Sequence, residues 1–310
     1  MKNTKPKVRL WSVLTGLTAI LTVAAIVGNI IANQYATTLN VALNASTYKI
    51  IHGENTGDTE YFKKGFASDE ERETYEAELC ATVEAEGAAL LKNENNALPL
   101  ASGAKVSLFG HGSVDLMYGG TGSGSVDTSK APNLKQALEA QGITINQTLW
   151  DLYSSDSMMS KYSRMTPASI SDTLEANTQY AVNEAPWSAL SSAESSFAEY
   201  GDAAIVVLSR SGGEGADLPS GENGTSDSWI SGQEGDGNYL ALSAEEIELL
   251  QNLKALKDNG TFKNIVVLIN SSNAIELDFL NPEICGEDYG IDAATVSYTH
   301  LRAHETSQDL

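Results

Sequence analysis

Cysteine and basic side chains are scarce in this 310-residue chain. Two cysteines, Cys80 and Cys285, exclude a disulfide scaffold and any metal site built from several thiolates. The count leaves one disulfide or two separate thiols open. Lys and Arg number 19 against 41 Asp and Glu, a net charge of -22. Four of the bases, Lys2, Lys5, Lys7 and Arg9, fall in the first 32 residues, which hold no acid; residues 33–310 carry 15 bases and all 41 acids, a net -26. So negative a surface repels phosphate backbones and argues against nucleic acid as a partner. Proline is rare at 7 residues, while 42% of the chain is apolar and 19% charged, a composition that folds. The length alone is a soft prior for about two domains.

One long run lacks charge altogether, from Leu10 to Ala32. As a helix it would extend about 34 Å, enough for a hydrocarbon layer of roughly 30 Å. A cleaved secretory signal has a shorter apolar core of about 7–15 residues and a small-residue exit, which favours an uncleaved signal-anchor here. All the bases precede the run, so residues 1–9 are expected in the cytoplasm, 10–32 across the cell membrane and the rest outside. Trp11 suits the membrane interface. Residues 33–68 are polar and aperiodic and read as a linker or collar.

Beyond residue 68 the pattern alternates between helices and apolar strands. Ser68 with Glu71 makes a capping box that opens a helix whose buried stripe is expected at Tyr75, Leu79 and Val83. Lys105–Gly110 reads as a strand ending at glycine, Asn133–Gln141 as a helix with Leu134, Ala137 and Leu138 inward, and Ile143–Ile145 as a strand. Residues 147–200 read as irregular helices. Ala203–Ser209 and Asn264–Asn270 are continuous apolar runs between their polar ends, and Ser243 with Glu246 caps the helix between them. Strands apolar on both faces, alternating with helices, predict an α/β fold: a mostly parallel sheet covered by helices on both faces, preceded by one transmembrane helix. Such sheets bind ligands at the carboxyl ends of their strands, so function is expected in the loops after Phe109, Ser209 and Ile269.

Two of those loops carry chemistry. The first runs through Gly110-His111-Gly112 to Gly119-Gly120-Thr121-Gly122-Ser123-Gly124. Its amides and hydroxyls suit a polyhydroxy ligand, and the absence of a following Gly-Lys-Ser/Thr makes it a weak phosphate cradle. A plain surface loop fits the same composition. The second, Ser209-Arg210-Ser211-Gly212-Gly213-Glu214-Gly215-Ala216-Asp217, sets a carboxyl group between glycines at a strand exit. Glu214 is then either a solvated acidic turn or a proton donor and acceptor oriented by Arg210 or Asp217.

Taken together, four segments resemble glycoside hydrolase family 3: Glu86–Asn93 with Leu98-Pro99-Leu100, Gly119–Gly124, Ser209–Asp217, and Leu242–Glu246 with Ile265–Asn270. The resemblance implies that residues 69–295 form the α/β sandwich usually called that family's C-terminal domain. It further implies a retaining, exo-acting, β-glucosidase-like hydrolase acting on β-linked oligosaccharides or glucosides. By resemblance Glu214 holds the general acid/base position, Gly122 and Ser123 lie in the loop that meets the sugar, and Arg210 and Asp217 join them as substrate-binding residues. No cofactor and no metal are expected. His300 and His304, one helical turn apart, lack a third ligand.

In that family the nucleophilic Asp comes from a (β/α)8 barrel, which needs around 250 residues. Residues 33–310 cannot hold both. The expectation is a chain in reversed domain order whose barrel is missing, with residues 296–310 a non-native tail. It would then bear the acid/base without the nucleophile and be inactive alone. A tethered carbohydrate-binding or structural domain without catalysis is the alternative.

Overall fold

A computed structural model describes residues 5–43, 65–119, 128–129, 131–164, 181–212, 239–272 and 274–297. The chain divides into two compact units, residues 1–67 and 68–310.

In the first unit, helix α1 (Lys5–Gln34) is followed by helix α2 (Ala36–Ala42). Within α1, Leu10–Gln34 is long and apolar enough to cross a membrane, with a mean hydropathy of 2.1. The hydroxyls of Ser12, Thr15, Thr18 and Thr22 each donate to the carbonyl four residues earlier, at 2.9–3.0 Å. These polar atoms are therefore satisfied within the helix itself, as apolar surroundings demand. The collar expected at 33–68 begins as helix instead. Ala36, Leu39 and Ala42 favour helix, and α2 follows α1 after a break at Tyr35.

The second unit is built on a sheet of six strands among the described residues: β1 (Ala89–Asn93), β2 (Lys105–Phe109), β3 (Thr144–Ile145), β4 (Ala203–Arg210), β5 (Ile265–Ser271) and β6 (Ala293–Ser297). Their order is β1-β6-β5-β4-β2-β3. Only β1, paired to β6, runs antiparallel. Side chains alternate between two cores, as the period of two requires. On β4, Ala204, Val206 and Leu208 face one and Ala203 and Ile205 the other. The larger core takes Leu149 and Tyr153 of α5 (Gln147–Tyr153), Met158 of α6 (Asp156–Met159), and Leu249, Leu250 and Leu253 of α7 (Ala244–Asp258). The smaller is covered by Leu134 and Leu138 of α4 (Leu134–Ala140), with Leu98 and Leu100.

Three expectations need correcting. Helix α3 (Asp69–Gly87) forms with Ser68 as its cap, but none of its residues is buried; Tyr75, Leu79 and Val83 are all exposed. An apolar stripe becomes a core only where another element covers it. Ala137 likewise faces solvent, while its neighbours Leu134 and Leu138 pack inward. At the other end, β6 runs through Val296 and Ser297, which pair with Ala89 of β1 and with Ile269 and Asn270 of β5. Val296 is buried. The boundary expected after residue 295 therefore cuts a strand; the rest of the expected tail lies outside the described residues.

The connections fix where a site can lie. From β2 the chain crosses by α4 to β3 on one side, and from β4 it crosses by α7 to β5 on the other. Strands β2 and β4 are direct neighbours. Their carboxyl ends therefore part in opposite directions, which opens a crevice at the topological switch point.

Candidate active site

The two loops singled out from sequence leave from this crevice, one from β2 and one from β4. Gly122, Ser123, Glu214 and Asp217 lie outside the described residues. The roots of both loops are described.

At the β2 exit, Gly110 has φ 84° and ψ 140°, and a Cβ there would sit 2.7 Å from the Val207 carbonyl oxygen of β4. Two residues on, a Cβ on Gly112 would lie 2.5 Å from Ser209 Oγ and 3.0 Å from the same Val207 carbonyl oxygen. Glycine at these positions lets the turn lie flat against β4. His111 between them is buried and does not open onto the crevice. Its amide and its ring Nδ1 both meet Glu184 Oε2 at 2.9 Å, and the other carboxyl oxygen accepts from the Ala185 amide at 2.9 Å. With the carboxylate as acceptor, the proton sits on Nδ1. Burial first, and then the Glu184 charge, push the Tyr153 hydroxyl well above its ordinary pKa, so it stays protonated.

The segment leading to the glycine-rich loop is tied down as well. Asn270 at the end of β5 accepts from the Met117 amide at 2.6 Å and donates to the Met117 carbonyl at 3.0 Å. Arg164 pairs with the Asp115 carboxylate at 3.1 Å and also donates to the Asp115 carbonyl.

At the β4 exit, Arg210 is fully buried and spends every donor on the protein. Nε reaches the Tyr239 carbonyl at 2.8 Å, Nη1 the Ser209 carbonyl at 2.9 Å, and Nη2 the Ala241 carbonyl at 2.6 Å. The remaining two donors form a fork on Glu246, at 2.8 and 2.7 Å. A guanidinium has five N–H groups, so none remains for a ligand. The substrate-binding role expected for Arg210 is therefore replaced by a structural one. Burial alone would lower its pKa, but the Glu246 carboxylate outweighs that and holds it above the ordinary value. Glu246 does double duty, since Oε2 also accepts from the Ser243 amide at 2.8 Å to close the capping box of α7. Beside it, burial, and then Glu246 and Glu184, raise the pKa of Glu245.

Sequence reasoning missed Glu184, Tyr239 and Asn270. Glu184 sits in Asn183-Glu184-Ala185-Pro186-Trp187, where Asn183 has φ 52° and Pro186 breaks any helical period. That breaker cluster marks a special backbone, but nothing local pairs Glu184 with a histidine 73 residues away.

The glycosyl hydrolase family 3 C-terminal domain matches residues 88–286, which take in both loops and all but the last strand. The chain belongs to this family. Over 146 residues it is 34% identical to beta-glucosidase A of Butyrivibrio fibrisolvens, covering 45% of this chain and 15% of that one. The β-glucosidase from Paenibacillus barengoltzii superposes with a TM-score of 0.51 at 25% identity, covering 71% of this chain and 21% of that chain. Beta-glucosidase 3B from Thermotoga neapolitana, in complex with glucose, shares the fold with a TM-score of 0.51 at 21% identity, over 74% of this chain and 28% of that one. This family 3 domain thus spans less than a third of each relative's length.

Proposed function

We propose that this chain is the acid/base-bearing domain of a retaining, β-glucosidase-like hydrolase that removes terminal sugars from β-linked oligosaccharides or glucosides. The observation that carries the reading is the pairing of the two loop exits at the β2/β4 switch point, in a domain whose named relatives are β-glucosidases. Retaining hydrolysis needs two carboxyl groups about 5–5.5 Å apart. Glu214 is the one that protonates the departing glycosidic oxygen and then takes a proton from water. Gly122 and Ser123 border the sugar, and Asp217 orients Glu214. The nucleophilic carboxylate comes from a separate (β/α)8 barrel domain of the same protein, so residues 1–310 alone do not turn over substrate. Helix α1 anchors the protein in the cell membrane, with its amino terminus in the cytoplasm and the α/β domain outside.

The test is kinetic. A polypeptide carrying this chain together with its barrel hydrolyses an aryl β-glucoside; Glu214→Gln loses that activity, and azide restores it with β-glucosyl azide as product. The 310-residue chain assayed alone gives none. Clear turnover by the chain alone, or full activity in Glu214→Gln, would overturn the reading. If α1 is an anchor, the protein stays with membranes through alkaline carbonate extraction and retains its first residues.

A further inference from the structure

Three buried side-chain atoms where β2 leaves β4 meet no hydrogen-bond partner: His111 Nε2, Ser113 Oγ and Ser209 Oγ. Their residues are at most 3% exposed. His111, Gly112 and Ser113 form one short helical turn after Gly110. Ser209 belongs to β4, and its hydroxyl lies so near Gly112 that a Cβ there would come within 2.5 Å of it. The Ser209 hydroxyl thus rests against the middle of the turn, with His111 and Ser113 on either side of that contact. Buried polar atoms nearly always have a partner, and a stranded one lowers stability. The chemistry of the three narrows what the partner is. With its Nδ1 proton on Glu184, His111 presents a lone pair at Nε2 and can only accept there. Each serine hydroxyl both donates and accepts. All three groups are neutral, and the nearest carboxylate, Glu184, already accepts from the His111 amide, the His111 ring and the Ala185 amide. Such a set calls for a small neutral group that donates and accepts at once.

We propose that His111, Ser113 and Ser209 form an internal water site, in which one bound water donates to His111 Nε2 and accepts from the two serine hydroxyls. A buried water makes about three hydrogen bonds to groups that would otherwise lack them, which is the number on offer here. At about 2.8 Å from each partner, one water bridges atoms as much as roughly 5.6 Å apart, farther than a direct bond can reach. Two of its partners lie on the β2 exit and the third on β4, so the water ties together the roots of the two loops that leave the switch point. The site belongs to the scaffold and holds whether or not the domain serves a glycosidase.

The sign of a stability change tests it, because a hydroxyl bonded to water and a dry, stranded one respond oppositely to removal. In denaturant unfolding of the whole chain, Ser113→Ala and Ser209→Ala should each lower the folding equilibrium constant about fivefold, the worth of one ordinary hydrogen bond. The double variant should lose less than the product of the two, since both hydroxyls hold the same water. A gain in stability in either single variant, or a double variant that loses the full product, would overturn the site. A crystal structure of the unaltered chain at about 1.5 Å gives the direct readout. It should show a water within hydrogen-bond distance of His111 Nε2 and both serine oxygens; a site without that water would overturn the proposal whatever the variants do.

Discussion

Replacing Gly110 by alanine tests the tight seating of the β2 exit against β4, on which the crevice depends. Two costs arise separately. At φ 84° and ψ 140° the backbone is in a region that a side chain disfavours. Holding it there costs about 1–3 kcal/mol. The new methyl would also lie 2.7 Å from the Val207 carbonyl oxygen and 3.5 Å from Glu184 Oε2, and the first of these is backbone that cannot swing away. Overpacking of this kind costs roughly 1–3 kcal/mol, giving a total of about 2–6 kcal/mol. Against a global stability of about 5–15 kcal/mol that is a large fraction. Gly103 supplies the control, because its φ is 78° but nothing lies within 4 Å of a Cβ there. Gly103→Ala should therefore cost only the conformational share, about 1–2 kcal/mol. The assay is denaturant unfolding of the whole chain followed by tryptophan fluorescence. Trp187 is a local reporter, stacked on Phe109 with ring centroids 6.3 Å apart. Equal losses in Gly103→Ala and Gly110→Ala would refute the reasoning, since the approach of the turn to β4 would then have no energetic weight.

Other sites yield sharper single effects. Asp292 is buried, accepts from Lys257 through both oxygens at 2.7 Å and takes the Ile265 amide at 2.8 Å, so Asp292→Ala should cost about 2–3 kcal/mol in chemical denaturation, chiefly by leaving the buried Ile265 amide without its charged acceptor. Ser243→Ala removes the cap of α7, whose hydroxyl accepts from the Glu246 amide at 3.2 Å, and should cost about 1 kcal/mol in the same assay. The pKa of Asp202 is lowered, first by the Lys105 amide and then by Lys263, so its contribution is complete above the unfolded value near 3.9 and disappears as pH falls through the folded value. Melting temperatures measured between about pH 7 and about pH 3 should thus show wild type and Asp202→Asn converging at the acid end. A gap between the two that stayed constant through acid would contradict this assignment.

The sheet was legible because its central strands are apolar on both faces. Ala203–Ser209 and Asn264–Asn270 have no polar face to offer solvent, and only a buried parallel position accommodates that. The caps at Ser68 and Ser243 were equally readable, since the signal and its partner lie three residues apart. What stayed hidden depends on distance along the chain. Glu246 was visible as a capping residue, yet its fork on Arg210 spans 36 residues, and Arg210 looked like a ligand-binding cation because sequence shows a charge without its counter-charge. The exposed stripe of α3 failed for the converse reason: Leu79 and Val83 carry the pattern of a core face, and a pattern does not say whether anything covers it.

The way polar groups are distributed over the sheet argues for a division of labour within it. Polar side chains occur elsewhere in the described strands, but at the carboxyl ends of β4 and β5 three of them, Arg210, Asn270 and Ser271, belong to hydrogen-bonded roots. Asn270 on Met117, Ser271 on the Arg210 carbonyl, and Arg210 itself on Tyr239, Ala241 and Glu246 are buried at that end. A stability-driven design would place Leu or Met at such positions, since a buried ion pair often gains nothing over apolar packing. Apolar side chains, though, leave backbone direction loosely specified, whereas a carbonyl met by a fixed donor has one orientation. The chain has accepted costly burial at the switch point between β2 and β4, where loop direction decides whether groups carried further along can meet a common ligand. That placement is the expected mark of a scaffold shaped to aim its loops.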